Sequence, residues 1–239
     1  MKNVKKVYFY SLYERLWHWM QALLVIALII TGFEITFATF FSLTGFKAAV
    51  YLHNIVALIF VANAFLALFY NLASGLLTQW IPGLQDFFSL GFRHARYYYY
   101  GIFRGEPHPF EKTPEKRLLP LQKITYFVIL NLLVPVQVVT GLLKWSASYD
   151  PGIIDSFGGL KLIATIHLGA AWLFILFTIL HVYMTTTGHT VFSSIAAMIT
   201  GYDIVEVEKQ EEEKEEKAEF SPQAAPESEE AEDPEKEET

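Results

Sequence analysis

The stretch that decides the fold is Leu160 to Met184, LKLIATIHLGAAWLFILFTILHVYM. It runs 25 residues with Lys161 as its one formal charge. A bilayer core takes roughly 20 apolar residues as a helix, so this segment is long enough to span one. It also holds two histidines, His167 and His181, fourteen residues apart. At ~100° per residue fourteen steps fall about 40° short of four turns, so both rings share one helix face, separated by ~21 Å along the axis. An ionisable residue at membrane depth is costly, and its default reading is functional.

Three more stretches resemble it. Spans are expected at about 16–41, 48–72 and 121–145, with the fourth at 160–184. The expected fold is therefore all-α, an integral membrane four-helix bundle. Val191 to Ile199 is apolar but too short to span, and reads as a short interfacial helix. The chain is 53% hydrophobic and 18% charged, against about 25% charged in soluble domains. No cysteine is present, which removes iron–sulfur ligation, thioether haem attachment and thiolate metal sites.

Charge divides the chain at about residue 202. From Asp203 onward 17 acidic residues face 4 lysines, near −13. Residues 1–202 carry 14 Lys/Arg against 8 Asp/Glu, near +6. The expected organisation is a membrane domain over 1–202 and an acidic tail over 203–239, whose composition predicts disorder. Eleven Lys/Arg lie before the first span or between the second and third, and three lie on the other side. This bias predicts both termini in the cytoplasm. The loop from Leu76 to Arg117 mixes aromatics with basic residues and is expected on the inner leaflet. Trp17, Trp19, Trp80 and Trp145 fall near span ends, as interfacial tryptophans do, whereas Trp172 reads as a packing residue inside the bundle.

Seven histidines are present. His94, His108 and His189 lie outside the spans and read as solvated or interfacial. His18, His53, His167 and His181 lie within them. With antiparallel neighbours, His18 matches His181 in depth near the inner side, and His53 matches His167 near the outer side. Neutral imidazole is a common axial ligand to haem iron, and two pairs at two levels suit two bis-histidine haems. A lone membrane histidine also serves as a helix–helix hydrogen-bond partner. Two depth-matched pairs are harder to account for in that way. Gly32, Gly141 and Gly169 lie inside spans, where a flat macrocycle or another helix can approach. Arg15 is placed to meet an inner haem propionate or to anchor the inner interface, and Lys47 or Lys161 to serve the outer haem.

The residues resemble a family. Arg15-x-x-His18-Trp19 followed by Thr31-Gly32, then His53, Gln122-Lys123, Thr140-Gly141, the His167–His181 spacing and the ending Met198 to Gly201 are similar to the membrane cytochrome b family. That family includes the b-type cytochrome of nickel–iron hydrogenase, the gamma subunit of formate dehydrogenase and the thiosulfate reductase cytochrome b subunit. The resemblance covers most of residues 10–201. It implies two haem b groups, held by His18 with His181 and by His53 with His167. It also implies electron transfer between a quinone (menaquinone included) near the inner haem and a redox subunit at the outer face, a multihaem cytochrome c or a molybdopterin/iron–sulfur enzyme, in a bacterial cytoplasmic membrane. No nucleic acid is expected as partner. Formate dehydrogenase-like members carry Asn-x-Gly before the Gln-Lys pair. This chain has Leu119-Pro120-Leu121 there, which tilts the resemblance toward the thiosulfate reductase branch.

By position, Gln122, Lys123 and Tyr126, together with Glu14, Tyr183, Thr185 and Thr186, are candidates for the quinone vicinity, or else caps, anchors and packing residues. Two other readings stay open: a histidine-relay proton channel or transporter, with Glu34 as its one acidic span residue, and a non-conducting anchor for a partner.

Overall fold

The computed structural model describes residues 4–110, 118–188 and 190–206. Residues 6–205 form one compact unit. A second unit comprises residues 1–5 and 206–239, of which only Val4, Lys5 and Glu206 are described. The tail beyond 206, Lys112, Lys116, Arg117 and His189 lie outside the described residues.

Among the described residues four helices are long and apolar enough to cross a membrane. They are α1 (Leu12–Thr36), α2 (Phe46–Ala73), the third span Pro120–Ser146 and α7 (Gly159–Thr185). Three match their expected limits within two residues. The first starts four residues earlier and stops five earlier, for two physical reasons. Ser11 and Glu14 form a reciprocal capping box, so the helix begins at a polar signal ahead of the apolar run. At the other end Glu34 gathers the following loop. Its carboxylate accepts from the N–H groups of Leu43 (2.8 Å), Thr44 (2.7 Å) and Gly45 (2.8 Å) and from the Thr44 hydroxyl (3.1 Å). Glu34 is only 1% exposed, and its carboxylate satisfies the N–H groups that lead into α2 while they satisfy its charge. The acidic residue inside the apolar run is thus a structural clasp.

The third span breaks into α4 (Pro120–Val128), a π-turn over Ile129–Leu133 and α5 (Val134–Ser146), and a short helix, α6 (Pro151–Asp155), leads from it to α7. Pro135 explains the break: its ring supplies no N–H and crowds the preceding turn. The helices pair as two hairpins, α1 on α2 and α5 on α7, with α2 also touching α5. Polar contacts fasten the first hairpin along its length. Trp17 donates to the Asn63 carbonyl (3.2 Å), Asn63 donates to Gln21 (2.6 Å), and Tyr13 packs on Tyr70. Trp17 therefore works inside the hairpin. Large apolar residues such as Leu23, Phe65, Phe69, Leu132 and Ile179 stay exposed. In water each would forfeit the roughly 1.5–3 kcal/mol that burial provides, so the bundle presents its surface to lipid or to partners. Trp172 belongs to that surface: it is 48% exposed, which corrects its reading as an interior packing residue.

The connection between α2 and α4 is not an irregular loop. Backbone from Leu84 to Arg104 is helical almost throughout, with α3 (Gly91–Arg96) between π-turns at Asp86–Leu90 and Tyr97–Gly101. Gly91 allows this segment to approach α4: a Cβ there would lie 2.4 Å from Ile124 Cδ1. Phe88, Phe92, Tyr99 and Phe103 are exposed, while Gly91, His94, Tyr97 and Gly101 are buried.

After α7 come a short helix, α8 (Ser193–Thr200), and strand β2 (Tyr202–Glu206), which pairs with β1 (Val4–Tyr8). The strand takes the first residues of the expected tail. α8 docks on the start of α1 through its terminal carbonyls. Arg15 donates to Ile199 O, Trp19 donates to Met198 O (3.0 Å), and Gly201 O accepts from Phe9 and Tyr10. Gly201 sits at φ 87°, and a Cβ on it would meet Tyr8 and the Tyr10 carbonyl.

Candidate functional site

The four span histidines come together as the depth argument expects. His18 of α1 and His181 of α7 have ring centroids 6.1 Å apart, at the end where α1 begins and α7 ends. His53 of α2 and His167 of α7 lie 6.4 Å apart, toward the opposite end. We call these the near and far levels. Each pair reaches from one hairpin to the other, and all four rings are half-buried.

At the far level each imidazole is held by a hydroxyl of its own hairpin. Thr31 Oγ1 lies 2.8 Å from His53 Nδ1 and 2.7 Å from the Ala27 carbonyl. Thr140 Oγ1 lies 2.9 Å from His167 Nδ1 and 2.6 Å from the Val136 carbonyl. A carbonyl only accepts, so each hydroxyl donates its one proton there and accepts from the imidazole. That puts the hydrogen on Nδ1 and leaves the lone pair on Nε2, the tautomer a metal ligand needs. The glycines beside the threonines make room. A Cβ on Gly32 would lie 3.4 Å from His53 Cε1, and one on Gly141 would lie 3.4 Å from His167 Cε1. Each Thr-Gly pair is thus a seat for the imidazole of the neighbouring helix. Gln137 adds a weaker contact, its Nε2 3.4 Å from His167 Nε2.

The near level is built from rings. His181 lies against Phe177 (5.6 Å, tilted 32°), and His18 meets the edge of Trp19 (5.4 Å). His18 Nδ1 is buried and has no hydrogen-bond partner among the described residues. A buried imidazole nitrogen left in that state is costly unless a further group binds the ring.

The donor set fits a haem. Among the described residues no three His, Cys, Asp or Glu converge as a metal site. A zinc ion held by protein alone takes four ligands, whereas a porphyrin brings four nitrogens and needs only two axial ones. Two metal–nitrogen bonds of about 2 Å each plus the near halves of two rings span about 6 Å, the separation seen at both levels.

The other candidates separate by role. Gln122 accepts from the Leu119 N–H (3.1 Å), capping α4. Lys123 Nζ stands 4.0 Å from Asp86. Glu14 is spent in the capping box, and Thr185 and Thr186 bond back to the carbonyls of Val182 and Tyr183. Tyr126 is different. It packs between Trp80 (5.6 Å) and Phe177 (6.2 Å), and Phe177 touches His181, so it joins the near level through one ring. Arg15 is engaged by α8 and the Ser11 carbonyl. Lys47 and Lys161 are exposed near the far level.

His94 departs from expectation. It is fully buried, with its Nε2 3.3 Å from His108 Nε2. Its segment packs as a helix against α4, which sequence reading took for a surface loop. Tyr97 and Tyr98 surround the two rings, and burial pushes both phenols above their ordinary range.

Comparisons with known proteins show the family. The family model for prokaryotic cytochrome b561 matches residues 9–201. An Escherichia coli (strain K12) protein described as "Putative cytochrome YdhU" is 30% identical over 200 residues, covering 83% of this chain and 75% of that protein. Residue 9 is where the chain first bonds to Gly201, so the matched region is the span of the docked bundle itself. The chain therefore belongs to the prokaryotic cytochrome b561 family, the membrane b-type cytochromes of electron transfer, and is a multi-pass, all-α integral membrane protein of that class.

Proposed function

We propose that the chain holds two haem b groups, one per histidine pair, and passes electrons between a quinone at the near level and a redox partner at the far end. The observation that carries this is the two ring pairs, 6.1 and 6.4 Å apart, each bridging the two hairpins. Bound haem supplies a one-electron couple at each level. The four histidines would supply the nitrogens that hold it, and the apolar helices would fix the rings and keep water away. His18 and His181 hold the near group, and His53 and His167 the far one. The levels are ~21 Å apart along α7 by helix rise.

The quinone assignment rests on the family resemblance and gains support from Tyr126, which reaches the near level through Phe177. Gln122 and Lys123, with their caps and pairings, frame that vicinity. The Lys/Arg bias supports cytoplasmic termini, hence a near level on the cytoplasmic side and a partner on the other. That partner is a multihaem cytochrome c or a molybdopterin/iron–sulfur enzyme by the same resemblance. The relay alternative loses its acidic candidate, since Glu34 is occupied by backbone donors.

A pyridine haemochrome assay on the purified chain tests the reading. Two haem b per chain is the expected result. A preparation without reducible b-type absorbance overturns it.

A further inference from the structure

The connector between α2 and α4 brings three donor atoms to one place. His94 on α3 and Tyr98 on the following π-turn are four residues apart, so their side chains stack on one helix face. His108 returns to that face after the chain reverses at Gly105, which takes φ 70°. His94 Nε2 lies 3.3 Å from His108 Nε2, and the Tyr98 hydroxyl lies 3.4 Å from the same His108 nitrogen. His94 is fully buried, and the other two are half-buried. No third His, Cys, Asp or Glu joins the pair among the described residues. We infer that His94, His108 and Tyr98 form a site for a tetrahedral divalent cation, zinc, separate from both histidine levels.

The distances decide between a hydrogen-bonded cluster and a coordination shell. Hydrogen bonds run about 2.7–3.2 Å from a nitrogen donor and about 2.5–3.0 Å from a hydroxyl. Both contacts here are longer. Two ligands held about 2.0–2.1 Å from a tetrahedral ion stand about 3.3–3.4 Å from each other. Adjacent ligands on an octahedral or square-planar ion with similar bonds stand about 2.8–3.0 Å apart, closer than either contact. The rings give the same answer. The His94 and His108 centroids are 5.1 Å apart, with the planes at 86°. Imidazoles opposite each other across a metal span about 6 Å, and the same bonds bent to the tetrahedral angle bring the centroids to about 5 Å. Imidazole suits zinc, copper and nickel, and the tetrahedral spacing selects zinc, because copper(II) and nickel(II) favour tetragonal sites. Three protein donors leave the fourth position to water.

The surrounding groups hold the donors in position. Arg96 pairs with Glu106 at 3.0 Å, and Arg93 donates to the Pro109 carbonyl (3.1 Å). The returning segment is thus fastened to α3 on both sides of His108. His108 Nδ1 faces both the carbonyl and the N–H of Phe110, so the ring accommodates either tautomer. A cation on Nε2 selects the tautomer that donates from Nδ1 to the carbonyl, the usual support of a ligating histidine. Bound zinc ties the returning segment to α3, which packs on α4 where Gly91 meets Ile124. A metal held only by the folded connector stabilises it.

The test uses the untagged full-length protein carrying its haems, treated with a chelator and then titrated with zinc chloride. Bound zinc per chain is measured by elemental analysis, and the variants are His94→Gln, His108→Gln and Tyr98→Phe. Glutamine stays polar but offers no imidazole nitrogen. One zinc per wild-type chain is expected, with a higher unfolding temperature when it binds. Each histidine variant is expected to bind at least roughly 100-fold more weakly, the most that loss of a merely supporting residue costs, and Tyr98→Phe about 10-fold more weakly. Haem content is expected to stay at the wild-type value. X-ray absorption at the zinc edge of the wild type reads the shell without any variant, and two imidazoles with oxygen are expected. No stoichiometric zinc in the wild type overturns the inference. So does equal binding in all variants, which puts the ion elsewhere, such as the acidic tail. If the histidine variants lose haem together with zinc, the zinc-edge spectrum decides, and a shell without two imidazoles overturns the site. None of these outcomes bears on the haem reading.

Discussion

The far and near levels present the same ligands in different surroundings. At the far level each histidine is gripped by a Thr-Gly pair on the helix beside it, so tautomer and ring position are set before anything binds. At the near level the rings lean on Phe177 and Trp19, and His18 Nδ1 has no hydrogen bond among the described residues. Rings packed against rings fix a plane less tightly than a hydroxyl fixes a nitrogen. On the proposed reading the contrast separates two tasks: the far level holds its group rigidly, and the near level, which reaches Tyr126 through Phe177, is where the quinone comes and goes.

The strongest way to break this comparison is to remove one ligand at a time. His53→Ala and His167→Ala are each expected to cut haem b from two per chain to one, with the same residual spectrum. His18→Ala and His181→Ala are each expected to leave the other haem, with a second residual spectrum. Haemochrome stoichiometry and low-temperature difference spectra read both. If His53→Ala and His18→Ala leave identical spectra, the levels are not distinct.

The glycine seat comes next. Gly141→Val adds two methyls beyond a Cβ already 3.4 Å from His167 Cε1. Overpacking of this kind costs about 1–3 kcal/mol, which here falls on the imidazole's position. Partial loss of the far-level haem is expected with the near-level spectrum unchanged. Full occupancy of both levels would show that the far rings have slack.

The spans were legible in the sequence because apolar length is a one-dimensional property. The histidine pairing was legible for the same reason: depth along antiparallel helices follows from residue counting. What escaped was rotation. Thr31 and Thr140 stood out only as parts of a family resemblance, since nothing in an apolar stretch says which neighbour a given hydroxyl faces. His94 escaped because its helix inverts the usual contrast. Phe88, Phe92, Tyr99 and Phe103 face outward while histidine and glycine face in, so hydropathy pointed to the wrong side. Trp172 misled similarly, an aromatic at mid-span that lies on the surface. Glu34 looked like a functional carboxylate, and only the returning N–H groups of Leu43, Thr44 and Gly45 reveal a clasp.

The hydroxyls themselves make a finer test. Thr140→Val and Thr31→Val remove the acceptor for Nδ1 while keeping shape. An interhelical hydrogen bond in a membrane averages about 0.6 kcal/mol and reaches about 1.7. Loss of a group that orients a metal ligand typically costs roughly 10–100-fold in affinity or activity. A raised midpoint potential of one haem alone, with both still bound, is the expected outcome in a redox titration, because an imidazole without its Nδ1–H acceptor is the weaker donor. A shift of both haems together would mean that the two levels are coupled through α7.

Arg15 gives the smallest effect and the clearest meaning. The sequence allowed two roles for it, haem propionate partner and interface anchor. In the fold its guanidinium holds the Ile199 carbonyl at the end of α8, while Trp19 holds the Met198 carbonyl one turn along α1. His18 sits between them, so the motif secures the histidine's helix from both sides. Arg15→Gln removes one charged donor from a carbonyl at the bundle's edge. About 1.5–3 kcal/mol is the usual worth of a hydrogen bond to a charged group, less where solvent takes over, so a modest fall in thermal unfolding temperature is expected with two haems retained. Trp19→Phe keeps the ring edge against His18 and removes only a neutral hydrogen bond, so its shift is expected to be smaller still. If Arg15→Gln instead lowers near-level haem content or potential while Trp19→Phe does not, the guanidinium reaches the haem as well as α8.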